Sequence, residues 1–132
     1  MKQLLVKEVM TPEEKVIRIS PYARVRELLS LMQTQGVKSV VVDRTSENDA
    51  YGIVTYTSIL NAIFAEDGDI DLINVYDIAA KPVIQVSQEL DVRYAARMMV
   101  RYGVNRLLVA EGNQLSGLIS MNDIVAVLMR DL

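Results

Sequence analysis

The chain has 132 residues, 51% apolar and 23% charged, the balance of a globular protein rather than a disordered segment. Its 14 basic and 17 acidic residues give a formal net charge of −3, and no basic stripe interleaved with aromatics marks a nucleic-acid groove. Cysteine and histidine are both absent, which excludes disulfides and thiolate metal sites and removes the commonest general base and transition-metal ligand.

Residues 6–10 read as a short helical turn stopped by Thr11-Pro12. Residues 15–20 alternate apolar and polar, which suits a strand. Ser20-Pro21 then opens a helix, proline being favoured in a first turn. Val25, Leu28, Leu29 and Met32 fall on one face of that helix, and Gly36 ends it. Residues 39–42 form an apolar strand, 43–50 a polar turn, 51–54 a strand, and 57–64 a second helix with Ile59, Leu60 and Ile63 on one face. Residues 66–71 (Glu-Asp-Gly-Asp-Ile-Asp) are an acidic connector, read as a solvated linker. A divalent-cation site is the sharper alternative there, although no full calcium-loop pattern follows.

A helical turn at 75–78 and a strand at 83–87 come next. Residues 91–102 form a helix with Val92, Ala95, Ala96 and Met99 on one face, closed by Gly103. The chain ends with a strand at 106–109, a tight turn at Glu111-Gly112-Asn113, a strand at 114–119 and a helix at 121–129. No apolar run reaches about 18 residues, and the first residues lack the apolar stretch of a signal peptide. A cytoplasmic protein without a membrane span is expected.

These elements state one pattern twice. Val16-Ile17-Arg18-Ile19-Ser20 returns as Val83-Ile84-Gln85-Val86-Ser87, an offset of 67, and Gly36 returns as Gly103. Gly52-Ile53-Val54-Thr55 returns as Gly117-Leu118-Ile119-Ser120, an offset of 65, so the first copy carries two extra residues in one loop. Each copy is strand–helix–strand–strand–helix, and an internal repeat decides the architecture. The expected fold is α+β: two β-α-β-β-α repeats packed through their sheets about a pseudo-twofold axis. The first repeat spans 1–65, the acidic linker 66–73 and the second repeat 74–132. Each alone is too small to be comfortably stable, so one cooperative module is expected.

Ser120-Met121-Asn122-Asp123 is the most informative local motif. A strand ends, a hydroxyl stands at the turn, and a carboxylate follows as a helix begins. Backbone N–H groups at a helix start attract phosphate, Ser120 can donate to it, and Asp123 can accept from a ribose diol. The same four positions also read as a capping box that needs no ligand. In the first copy the hydroxyl is kept as Thr55, but Ser58 stands where the carboxylate would be.

The repeat resembles a tandem pair of cystathionine-β-synthase (CBS) domains, often called a Bateman module. The residues that carry the resemblance are the Val6-Lys7-Glu8-Val9-Met10 opening, the element order, and the Gly-x-x-Ser/Thr-x-x-Asp signature, over about 6–129. It implies a regulatory module, not an enzyme, that binds adenosine-containing ligands (AMP, ADP, ATP or S-adenosylmethionine) in a cleft between the repeats. No other cofactor and no metal are implied. One site would use Asp123 and Ser120 with Ile17, Val37 and Lys38, and Arg106 is a further phosphate contact. The opposite, weaker site would use Thr55 and Ser58 with Ile84, Val104 and Asn105. The resemblance also implies a homodimer through the second helix of each repeat. A ligand-free dimerisation module is the alternative function. The initial methionine and the close fit to two copies favour a stand-alone protein.

Overall fold

The computed structural model describes residues 3–81 and 84–132. The first residue of the strand expected at 83–87 therefore lies outside the described residues. The chain divides into two compact units, one formed by Ile17–Val83 and the other by Met1–Val16 together with Ile84–Leu132.

In the Ile17–Val83 unit, β2 (Arg18–Ile19) runs parallel to β3 (Ser39–Val42), which pairs antiparallel with β4 (Gly52–Thr55). Helix α2 (Val25–Gln35) joins β2 to β3, and α3 (Tyr56–Leu60) follows β4. Val40, Val41 and Val42 are all fully buried, so β3 is a central strand covered on both faces, as its unbroken apolar run suggests. Leu28 and Met32 of α2, Ile59 of α3 and Val75 complete this core.

The other unit repeats the plan with one strand more. Its sheet has the order β1 (Thr11–Pro12), β7 (Gln114–Ser120), β6 (Arg106–Glu111), β5 (Gln85–Val86). Helix α1 (Val6–Val9) precedes β1, α4 (Val92–Tyr102) joins β5 to β6, and α5 (Met121–Arg130) follows β7. Val6, Val92, Ala95, Met99, Leu107, Val109, Ile119 and Ile124 form the core. Gly36 and Gly103 sit at φ of 64° and 65° after α2 and α4, the left-handed turn that glycine adopts without steric cost.

Each repeat's opening segment packs in the unit of the other repeat. Thr11 pairs with Leu118 of β7, and Ala80 bridges Ile53 of β4. The glycine that begins each signature makes room for this. A Cβ on Gly117 would collide with the Thr11 carbonyl oxygen and lie 2.9 Å from Met10 Sδ, and one on Gly52 would lie 3.1 Å from Ala79 Cβ.

Four local expectations need correction. The first strand is only Arg18–Ile19 and follows a 3₁₀ turn at Glu13–Lys15. Helix α2 begins at Val25, not at Pro21, because residues 21–23 are engaged elsewhere: Tyr76 N–H donates to the Pro21 carbonyl at 3.0 Å and Val75 N–H to that of Ala23 at 2.8 Å. The helix expected over 57–64 splits into α3 and a π turn at Asn61–Ala65, with no side-chain cap at Thr55. The acidic connector is exposed but is not a loose linker. Arg26 grips Asp71 with two hydrogen bonds, one of 2.9 Å, and Gly68 N–H donates to the Ala62 carbonyl at 2.8 Å. Its carboxylates do not converge: among the described residues no group of three or more His, Cys, Asp or Glu side chains is placed to hold a metal ion.

Candidate functional site

The motif residues of the second repeat meet where β6, β7 and α5 come together. Arg106 opens β6 and stands opposite Ser120, the last residue of β7. Ser120 Oγ accepts the Asp123 N–H at 3.2 Å, and Asp123 Oδ2 accepts the Ser120 N–H at 2.8 Å. This is the reciprocal capping box that the spacing allowed. The Asn105 carbonyl accepts the Met121 N–H at 2.8 Å. Two of the first-turn donors of α5 are thus occupied, which leaves Asn122 as the donor free of these contacts.

Capping and ligand binding do not exclude each other here. A carboxylate can accept about four hydrogen bonds, and only one oxygen of Asp123 is used by the cap. Asp123 Oδ1 has no hydrogen-bond partner among the described residues, and the side chain is half-buried. The cap therefore fixes the carboxylate in one orientation with an acceptor edge left over. Arg106 is held as well, its guanidinium donating to Asn105 Oδ1 at 2.9 Å.

Asn105, Arg106, Ser120, Met121 and Asn122 line a hollow of about 90 Å³. That space takes a phosphate or part of a sugar; whole drug-sized ligands occupy roughly 300–1,000 Å³. The hollow offers a cation, amide and hydroxyl donors, and a helix N-terminus, all suited to an anion. Asn105 lines it together with Ser120 and Arg106, whereas the resemblance assigned Asn105 to the site of Thr55 and Ser58.

Ile84 and Val104 lie in the same unit, half-buried and packed against its core. The Ile84 carbonyl accepts the Leu108 N–H at 3.2 Å. Ile17, Val37, Lys38, Thr55 and Ser58 all lie in the Ile17–Val83 unit. Ile17 and Val37 pack against its core, and Lys38 is exposed immediately before β3. Ser39 stands opposite Thr55, so this corner matches that of Arg106 and Ser120. Lys38 supplies its cation and no carboxylate follows Thr55. Sequence reasoning missed the placement of Asn105. The signal was its position just before β6, where its carbonyl reaches the start of α5.

The model of the CBS domain family matches residues 6–65 and again 75–130. An uncharacterised protein of Methanopyrus kandleri is 30% identical over 113 residues, which is 85% of this chain and 57% of that protein. An inosine-5'-monophosphate dehydrogenase of Korarchaeum cryptofilum is 34% identical over 112 residues, 83% of this chain but 21% of the enzyme. The chain thus spans well under two thirds of these curated relatives. Among solved structures, a hexameric CBS-CP12 protein from bloom-forming cyanobacteria is 35% identical with a TM-score of 0.85, covering 95% of this chain and 72% of that one.

Proposed function

Since this chain belongs to the CBS domain family and carries the domain twice in tandem, we propose that it is a regulatory module that senses an adenosine-containing ligand of the AMP, ADP or ATP type. The observation that carries this reading is the free Oδ1 edge of Asp123. Its carboxylate is oriented by the capping box with Ser120, and Ser120 lines the hollow with Arg106 and Asn105, although Asp123 itself is not among the lining residues. In this reading Asp123 accepts from the ribose diol, and Arg106 and Ser120 hold a phosphate. S-adenosylmethionine is the alternative ligand and lacks the phosphate that Arg106 would engage. The module does no chemistry of its own in this reading, and ligand affects its target through differential affinity for two arrangements.

Isothermal calorimetry of the whole chain with AMP, ATP and S-adenosylmethionine tests the proposal. Binding of at least one adenine nucleotide is expected, with Asp123→Asn weakening it by about tenfold or more, the loss of a charge-assisted hydrogen-bond pair. Absence of heat with all three ligands at about millimolar concentration, the weak end of specific affinity, would overturn it.

Self-association is favoured by a separate observation. The outer faces of the second helices are apolar: Val125, Leu128 and Met129 on α5 are 37%, 45% and 64% exposed, and Leu60 and Phe64 are 55% and 76% exposed. A homodimer through these helices covers them, with or without ligand.

A further inference from the structure

Helices α2 and α4 hold the same place in the two repeats, so each serves as a control for the other. The exposed positions of α2 are Arg26, Glu27, Ser30, Gln33, Thr34 and Gln35. The matching positions of α4 hold Arg93, Tyr94, Arg97, Val100, Arg101 and Tyr102. A mixed polar surface on one helix is cationic and apolar on the other. Core packing does not account for the change, since Val100 is 79% exposed and Tyr102 55%. Helix stability does not account for it either, because like charges four residues apart work against a helix. Arg93 is neutralised by Asp91 at 3.0 Å. Arg97 lies over the Tyr94 ring at 5.3 Å, and neither it nor Arg101 meets a carboxylate among the described residues. This corrects the expectation that the chain carries no basic stripe interleaved with aromatics: Arg93, Tyr94, Arg97, Arg101 and Tyr102 make one on α4, on a molecule of net charge −3.

The complement lies in the same sequence. Residues 66–72 form a built turn: Glu66 N–H donates to the Asn61 carbonyl, and Leu72 and Ile73 N–H both donate to that of Asp69, each at 3.0 Å. Asp67 takes a left-handed φ of 54° at its tip. Arg26 occupies Asp71, whereas Glu66 and Asp67 have no ion-pair partner among the described residues. Leu72 beside them is 69% exposed. The turn thus presents, on a fixed backbone, two exposed carboxylates with no ion-pair partner among the described residues and an apolar side chain.

We propose that α4 of one copy docks the acidic turn of a second copy, with Arg97 and Arg101 taking Glu66 and Asp67 and Leu72 covering Val100. Opposed charge and matched apolar surface argue for this occupant, and the acidic net charge argues against a nucleic acid. Each copy carries one surface of each kind, so the contact either closes as a reciprocal twofold pair or, made head to tail, continues into a ring or a chain. It does not depend on the nucleotide reading or on the apolar faces of the second helices.

Sedimentation velocity on the full chain at about 50 mM and about 500 mM salt, where screening lengths differ severalfold, tests it. Self-association through this contact is expected at low salt and its dissociation at high salt. Arg97→Glu with Arg101→Glu, and separately Glu66→Arg with Asp67→Arg, should each weaken this step by on the order of tenfold or more. An equimolar mixture of the two variants should regain it, since each then meets opposite charge. Val125→Glu, aimed at the apolar face of α5, should leave the salt-sensitive step intact. Circular dichroism checks that the charge variants stay folded, and Arg97→Gln with Arg101→Gln replaces the first if it does not. No salt-sensitive association in the native chain, or no regain in the mixture, overturns the proposal.

Discussion

Asp49 shows how one side chain can hold a long loop. The polar stretch 43–50 has no regular structure, and its end is tied by this carboxylate. Asp49 accepts from Thr45 N–H at 2.8 Å, from Thr45 Oγ1 at 2.9 Å and from Lys81 Nζ at 3.0 Å. The Thr45 backbone bond, then the Lys81 ammonium and the Thr45 hydroxyl, hold its carboxyl well below the usual carboxylate range. A carboxyl depressed in the folded state contributes stability that is fully present above its unfolded value, about 3.9, and is lost as pH falls toward the folded one. Asp49→Asn should therefore lower the melting temperature at pH 7, with the gap from the native chain narrowing below about pH 4. Melting curves from pH 7 to pH 3 check this, and a gap that stays constant contradicts it. The residue scale was only partly legible. Ser120 and Asp123 announce their capping box by spacing alone, because both partners lie within four residues. Asp49 and Lys81 are 32 residues apart, and nothing local in the sequence links them.

At the scale of elements, the two repeats diverge most in their second helices. Helix α5 starts with the full box at Ser120 and Asp123 and runs for 10 residues. Helix α3 starts at Thr55 with no side-chain cap, lasts 5 residues and relaxes into a π turn. The periodicity of Ile59, Leu60 and Ile63 predicts a helix correctly, but helical periodicity does not report the hydrogen-bond register within it. The first strand is shortened by the 3₁₀ turn at Glu13–Lys15, and the late start of α2 comes from contacts made far along the chain. Backbone groups of residues 21–23 are taken by Val75 and Tyr76, a distant claim that overrides the local preference of proline for a first helical turn. Ser58→Asp puts a carboxylate at the position that Asp123 holds in the second repeat. Completing a box with Thr55 should raise stability by about 0.5–1 kcal/mol, read from chemical denaturation. On the nucleotide reading it should also strengthen the weaker site, measured as added stoichiometry or affinity in calorimetry. A stability gain without any change in binding would assign the carboxylate to capping alone.

For the whole molecule, the informative feature is the path of the chain rather than the count of its domains. The Ile17–Val83 unit is continuous, whereas the other is assembled from the first 16 residues and residues 84–132. Sequence similarity between the copies marks the repeats but not this exchange, because an opening helical turn looks the same whichever sheet it joins. Val6 and Val75 occupy matching places in the exchange. Both are fully buried, one in the core with Val92 and Ile119, the other in the core with Leu28 and Val40. Truncating either valine to alanine removes two buried methyl groups and leaves a small cavity, a cost of about 2 kcal/mol. Val6 reaches its core only if residues 17–83 are spanned, and an unfolded stretch of that length adds loop-closure entropy to the folding of its unit. Loss of the continuous unit should therefore weaken the split one, and the two should melt together. Val6→Ala and Val75→Ala are expected to shift one common transition by similar amounts, with calorimetric and van't Hoff enthalpies in agreement. Separate transitions, each moved by only one of the substitutions, would show instead that the units unfold independently and that the exchanged segments join the repeats without coupling them.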